Sequence, residues 1–330
     1  MSFHMHPPAG ETVNPNYAEA ELQNVAWVQR HNLGMADDDD CLRRLRLTQF
    51  SRLAAFAHPR VGTAELALIC NWITWLFLHD DCYCDDGDAD ETSLAAFHRE
   101  VLAVLHGEHA PRAGDVSLLH MLVDLRRRML AWSNPAWLSR FIVSVDRYLQ
   151  GTRWEAENRE QGVVPPLAAY VRMRGYTGAM DSVFDCIELG EHLHLGPVIR
   201  QHTAIITLEQ MAANCVCWAN DIFSVDKELL EHNAHNLVFV LRHAHQLTLA
   251  DAIEKAVAMH DAELHAFEWA AARLPDFREF GPEKAQQARR YVAGLRSWVR
   301  GNAAWSWETP RYKGCLSMRG QSEPQLPAGA

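Results

Sequence analysis

Leu66-Ala67-Leu68-Ile69-Cys70-Asn71-Trp72-Ile73-Thr74-Trp75-Leu76-Phe77-Leu78-His79-Asp80-Asp81-Cys82-Tyr83-Cys84-Asp85-Asp86 is the stretch on which the fold turns. From Leu66 to Leu78 only Asn71 and Thr74 interrupt the apolar residues. A run apolar on every side and longer than a strand reads as a helix buried all round. It is too short to span a membrane, which takes roughly 20 residues. The run closes on carboxylates, and at about 100° per residue Asp80, Asp81 and Asp85 share one sector. Clustered acids at a helix C-terminus repel one another and oppose the helix dipole, so a bound cation is the natural offset. Ligands that are all oxygen favour Mg²⁺ or Mn²⁺ over zinc. An exposed acidic helix end running into Gly87, Asp88, Asp90 and Glu91 is the plain alternative.

Outward from this helix, apolar residues recur at three and four, as in Leu118, Leu119, Leu122, Leu125 and Met129. No alternating runs flank an Asn-Gly or Asp-Gly turn. Pro59, Gly107, Pro135, Pro165, Gly190, Pro197 and Pro282 punctuate the pattern as helix boundaries. No Pro/Ser/Gly-rich linker and no internal repeat divides the chain. The reading is one all-α domain over residues 16–315, with loose arms at 1–15 and 316–330.

Composition narrows the function. With 31 Lys+Arg against 42 Asp+Glu the formal charge is −11, which argues against nucleic acid or an anionic membrane as the main partner. Arg43, Arg44 and Arg46, and Arg126, Arg127 and Arg128, read as solvated helix faces. The N-terminus has neither the basic start nor the apolar core of a signal peptide. Eight cysteines without CxxC spacing fit a reduced, cytoplasmic protein rather than a disulfide or zinc framework.

A second polar constellation is Asn220-Asp221-Ile222-Phe223-Ser224-Val225-Asp226-Lys227-Glu228. Asn220, Ser224 and Glu228 stand at i, i+4 and i+8, about 6 Å apart along one helix face. An amide, a hydroxyl and a carboxylate in one stripe can hold a single Mg²⁺ that keeps some water. Lys227 beside them suits an anion bound to that metal. An ordinary polar helix face is the alternative. The denser run Asp37-Asp38-Asp39-Asp40 precedes a basic amphipathic segment, where acids favour a helix N-terminus, and it reads as structural.

Together the two stretches resemble the class I terpene synthases, in particular the bacterial terpene cyclases. Asp80, Asp81 and Asp85 are similar to the family's aspartate-rich motif in its DDxxxD form, although Cys84 stands where the shorter form has its third acid. Residues 220–228 match its NSE motif. Arg174, 46 residues before Asn220, corresponds to the pyrophosphate-sensing arginine, and Arg311-Tyr312 to the Arg-Tyr pair near the C-terminus. The resemblance runs from about residue 14 to residue 313 and implies a single-domain α-bundle around a central active-site cavity.

It further implies metal ligation by Asp80, Asp81, Asp85, Asn220, Ser224 and Glu228, with three Mg²⁺ ions, or Mn²⁺ in their place. Arg174, Asn220, Lys227, Arg311 and Tyr312 would bind the diphosphate. Thr177 and Gly178 correspond to the linker and effector of an induced-fit helix break. Phe77, Ala213, Val216, Cys217 and Trp305 are expected to line the pocket, while Trp72 and Trp75 belong to the core. The implied reaction ionises a linear prenyl diphosphate, releases pyrophosphate and cyclises the carbocation. Farnesyl diphosphate, giving a sesquiterpene, is the leading substrate. Geranyl or 2-methylgeranyl diphosphate is the alternative, because Asp-Asp-Cys-Tyr-Cys-Asp-Asp is also similar to the acidic motif of 2-methylisoborneol and 2-methylenebornane synthases. A chain-elongating prenyl synthase would show a second DDxxD in place of NSE. A helical interaction protein without catalysis would not require these residues to converge. A homodimer is compatible with all of this.

Overall fold

The computed structural model describes residues 12–31, 45, 47–81, 91–112, 114–230 and 233–312. Among them are thirteen α-helices, two short 3₁₀ turns and no strand. The helices are α1 Tyr17–Arg30, α2 Phe50–Ala57, α3 Thr63–Asp80, α4 Glu91–His106, α5 Ser117–Trp132, α6 Pro135–Glu160 and α7 Leu167–Thr177. They continue with α8 Met180–Gly190, α9 Gly196–Arg200, α10 Thr203–Leu230, α11 Leu237–His245, α12 Leu249–Ala271 and α13 Pro282–Glu308. The all-α expectation therefore holds. Asp85, the 37–40 acidic run and the ends 1–11 and 313–330 lie outside the described residues.

The helix α3 is the central rod, as its pattern predicts. Trp72 and Trp75 are fully buried and stacked on one another, and α1, α2, α5 and α8 pack around them. The two interruptions in its apolar run carry a buried ladder. Asn71 donates to Asn24 at 2.8 Å, and Asn24 donates to Thr74 at 2.9 Å. Arg128 on α5 also donates to Asn71. Each buried amide is thereby satisfied, which an apolar interior demands. Arg126 likewise donates to the Leu105 carbonyl at 2.7 Å, at the end of α4. Thus only Arg127 of that triplet is the solvated residue the sequence suggested, because the other two tie neighbouring helices together.

The long helix α10 packs against both α12 and α13, and α13 also lies along α2. At its N-terminal side the domain is fastened before α1 begins. Asn14 is buried and donates to the carbonyls of His58 and Val61.

Candidate active site

A cavity of about 180 Å³ opens between α3, α6, α7, α10 and α13. One end is polar and is built from the C-terminal ends of two helices. Asp80 closes α3 and Asp81 caps it, while α10 brings Asn220, Ser224, Lys227 and Glu228 to the same opening. The other end is apolar, lined by Ile73, Leu76, Val183, Val216, Trp298 and Trp305.

The NSE stripe faces inward as the helical spacing predicts. The Ser224 hydroxyl donates to Glu228 at 2.6 Å, and Asn236 donates to the second oxygen of Glu228 at 2.8 Å. Asn220 accepts from Arg174 at 3.0 Å and donates to the Tyr312 hydroxyl at 2.7 Å. Burial and the neighbouring Asp221 charge push the Glu228 carboxyl up to about 8, against the pull of its two hydrogen bonds. Asp221 is paired with Arg174, whereas the buried Glu228 is met by the neutral donors Ser224 and Asn236, which leaves a shortage of positive charge at its carboxylate. A divalent cation fits that shortage, and the amide, hydroxyl and carboxylate oxygens are hard donors suited to it.

Arg174 reaches the site from the last turn of α7. Its guanidinium lies 2.8 Å from Asp221 and also donates to Thr177 at 3.3 Å. Burial works against this charge, but Asp221 and Tyr170 more than offset that and hold the pKa above the usual arginine value. Asp221 is fully buried and also accepts from Tyr170 at 2.6 Å and from the Leu237 amide at 3.1 Å. The sequence reading gave Asp221 no role, since it points away from the stripe of Asn220 and Ser224. Its position beside Asn220, inside a helix otherwise apolar on that side, was the available signal.

On the opposite side, Arg311 lies 3.5 Å from Asp81 and over the Phe77 ring at 5.3 Å. Phe77 stacks on Phe50 with centroids 3.8 Å apart. Tyr312 meets Trp305 edge-on at 5.8 Å, and the Trp305 indole donates to the Thr48 carbonyl at 3.0 Å. Trp305 is thereby held in place where it lines the cavity.

The segment between α7 and α8 breaks where the sequence suggests. Helix α7 ends at Thr177 and α8 begins at Met180. The left-handed residue is Ala179, with φ 55°, whereas Gly178 has φ −80°. Glycine is needed at 178 for space, because a β-carbon there would lie 2.7 Å from the Cys217 sulfur. Of the residues expected to line the pocket, Phe77, Thr177, Gly178, Val216, Cys217 and Trp305 do so. Ala213 does not. It sits one turn past the cavity floor, where Gly175 of α7 crosses α10, and lines a separate outer groove. Sequence reasoning missed Tyr148, Glu155 and Arg159 of α6, and Asn233 and His235, all of which line the cavity.

Residues 71–266 match the family model described as terpene synthase family 2, C-terminal metal binding. The chain belongs to that family. This terpene synthase is 34% identical over 307 residues to the (+)-T-muurolol synthase ((2E,6E)-farnesyl diphosphate cyclizing) of Roseiflexus castenholzii, covering 92% of each chain. It is 32% identical over 293 residues to a germacrene A synthase of Nostoc punctiforme, covering 88% of this chain and 89% of the relative. The crystal structure of a-eudesmol synthase shares its fold, with a TM-score of 0.82 over 93% of this chain and 99% of that one at 20% identity. The protein is thus a class I terpene synthase, a lyase with a metal-binding domain. Among the described residues no helix of this terpene synthase is long and apolar enough to cross a membrane.

Proposed function

We propose that this synthase ionises farnesyl diphosphate with the help of Mg²⁺ and cyclises the cation to a sesquiterpene, releasing pyrophosphate. One observation carries the reading: Arg174, Asn220, Glu228, Lys227, Arg311 and Tyr312 converge on one end of a cavity whose other end is apolar. That polarity matches a substrate with an anionic head and a hydrocarbon tail. The leading substrate is supported by the relatives named for cyclising farnesyl diphosphate.

Asp80 and Asp81 on α3, and Asn220, Ser224 and Glu228 on α10, are the residues that would hold the metal, with Asp85 a further ligand of the first group. Three Mg²⁺ ions, or Mn²⁺, would neutralise negative charge on the diphosphate as it departs. The carbon–oxygen bond breaks with its electron pair moving to the diphosphate oxygen. Arg174, Lys227 and Arg311 face that developing charge, and Tyr312 offers a hydroxyl hydrogen bond. The apolar walls keep water from the cation, and the aromatic rings of Phe77 and Trp305 that line the cavity are read as the groups that stabilise it. The break at Thr177–Ala179 is read as the element that turns diphosphate binding into a change at the cavity wall. The catalytic domain is taken as residues 16–315 with arms on either side, working in the cytoplasm and compatible with a homodimer.

The acidic run from Asp80 to Asp86 keeps geranyl and 2-methylgeranyl diphosphates as the second reading. Incubation with geranyl, 2-methylgeranyl, farnesyl and geranylgeranyl diphosphates, with and without Mg²⁺, decides between them by mass spectrometry. Farnesyl diphosphate is expected to give a C15 hydrocarbon or alcohol only with metal. Efficient turnover of a C10 or C11 substrate alone overturns the chain length, and no product from any substrate overturns the cyclase reading.

A further inference from the structure

Helix α13 presents one amide to the cavity between two indoles. Trp298, Asn302 and Trp305 stand four and three residues apart, so they share a helix face, and all three line the cavity. Asn302 is buried, 4% exposed. Its amide nitrogen donates to the Val216 carbonyl of α10 at 3.2 Å. That bond fixes which way round the amide sits, because a flipped amide would set its oxygen against the Val216 oxygen. The Asn302 oxygen itself has no hydrogen-bond partner among the described residues. A buried acceptor left unmet is costly, so this one calls for a partner that the protein does not supply. Neighbouring polar side chains of the cavity are already engaged. The Tyr148 hydroxyl is hydrogen-bonded to His79 at 2.7 Å, and the Cys217 thiol donates to the Arg174 carbonyl at 3.5 Å. No step of the reaction described above uses Asn302.

We propose that Asn302 is a positioning residue that holds one water in the apolar end of the cavity, and that this water captures the cyclised cation so that the enzyme releases an alcohol. The inference rests on the reading of the protein as a cyclase of a prenyl diphosphate. A water that donates one O–H to the amide oxygen keeps its own lone pairs free, which is the orientation a nucleophile needs. One lone pair fills the empty orbital of the cation and forms the carbon–oxygen bond. The resulting oxonium loses its proton to pyrophosphate, the base that ionisation leaves in the same cavity. Without that water the same base takes a proton from a carbon next to the cationic centre, and a hydrocarbon forms instead. The apolar walls exclude other water. A single side-chain acceptor therefore sets the ratio between the two products.

The test is product analysis by mass spectrometry after the full chain turns over farnesyl diphosphate with Mg²⁺ in water enriched in ¹⁸O. The wild type is compared with Asn302→Leu and Asn302→Met, two apolar side chains of similar size that accept no hydrogen bond. The wild type is expected to release an alcohol carrying ¹⁸O. Both variants should lower the ratio of alcohol to hydrocarbon about tenfold, the effect of one lost hydrogen bond on a partition. The ratio does not depend on how much of each variant is folded, so loss of the Val216 contact and lower melting leave the readout intact. Hydrocarbon alone from the wild type overturns the proposal while leaving the cyclase reading in place. An unchanged ratio in either variant overturns it as well, since the water would then be held elsewhere. No product from geranyl, 2-methylgeranyl, farnesyl or geranylgeranyl diphosphate removes the cyclase reading, and the water site with it.

Discussion

The Asn220 amide donates to the Tyr312 hydroxyl at 2.7 Å, joining the metal-motif helix α10 to the last turn of the described chain. Tyr312 is buried in this arrangement, 4% exposed, so the C-terminal segment closes directly onto the stripe rather than lying over it. Tyr312→Phe keeps the ring against Trp305 and removes only the hydroxyl. The expected result is a five- to tenfold fall in kcat/KM, equivalent to about 1 kcal/mol, with melting little changed. Steady-state kinetics with the preferred diphosphate check it.

Gly178 and Cys217 test the space at the helix break. Gly178→Ala puts a methyl group 2.7 Å from the sulfur, and overpacking of this kind costs about 1–3 kcal/mol. Cys217→Ala removes the obstacle, so the double variant should melt above Gly178→Ala alone. A double variant no better than the single one would show that the glycine serves the backbone and not the contact.

Asp221→Asn leaves the shape and removes the charge that faces Arg174. Breaking one half of a buried ion pair costs about 3–5 kcal/mol. The variant is expected to melt lower and to lose most of its activity together. Calorimetry and kinetics on the same preparation follow both effects.

Asp80→Asn and Glu228→Gln are expected to reduce turnover at least a hundredfold, whereas Asp39→Asn changes it less than twofold. Product quantification at saturating Mg²⁺ compares the three. Equal activity in all of them contradicts the division of the acids.

His58 gives a pH prediction away from the site. Burial, with a small contribution from Arg60, lowers its pKa to about 3, and its ring accepts from the Trp298 indole at 3.2 Å. A histidine lowered in the folded state takes up its proton mainly on unfolding. Its contribution is therefore present above its unfolded pKa of about 6.5 and is lost as pH falls toward 3. His58→Gln keeps an acceptor without that titration. The stability gap between wild type and His58→Gln should narrow as pH is lowered from 7 to 5, measured by urea denaturation.

Much of this was legible in the chain. The apolar run of α3 announced a buried helix because, Asn71 and Thr74 apart, nothing in it could face water. The spacing of Asn220, Ser224 and Glu228 specified a shared face because helical geometry is local. Ala213 misled for the same reason: periodicity gives a direction but not the depth at which a crossing helix closes the cavity. Glu155 was hidden because its helix reaches the site by a long-range approach at Gly151, for which a lone glycine is the only trace. Arg126 and Arg128 read as surface charge because their partners, Leu105 and Asn71, lie far away in sequence.

Ala179 holds a left-handed backbone that costs a non-glycine residue about 1–2 kcal/mol. An uninterrupted helix through residues 167–190 would be free of that strain, and would also lack the bend beside Arg174. Fold stability and catalytic shape therefore pull in opposite directions at this one residue. Selection of this enzyme for heat resistance alone would tend to straighten the segment, and thermostable descendants would be the ones to examine for lost turnover.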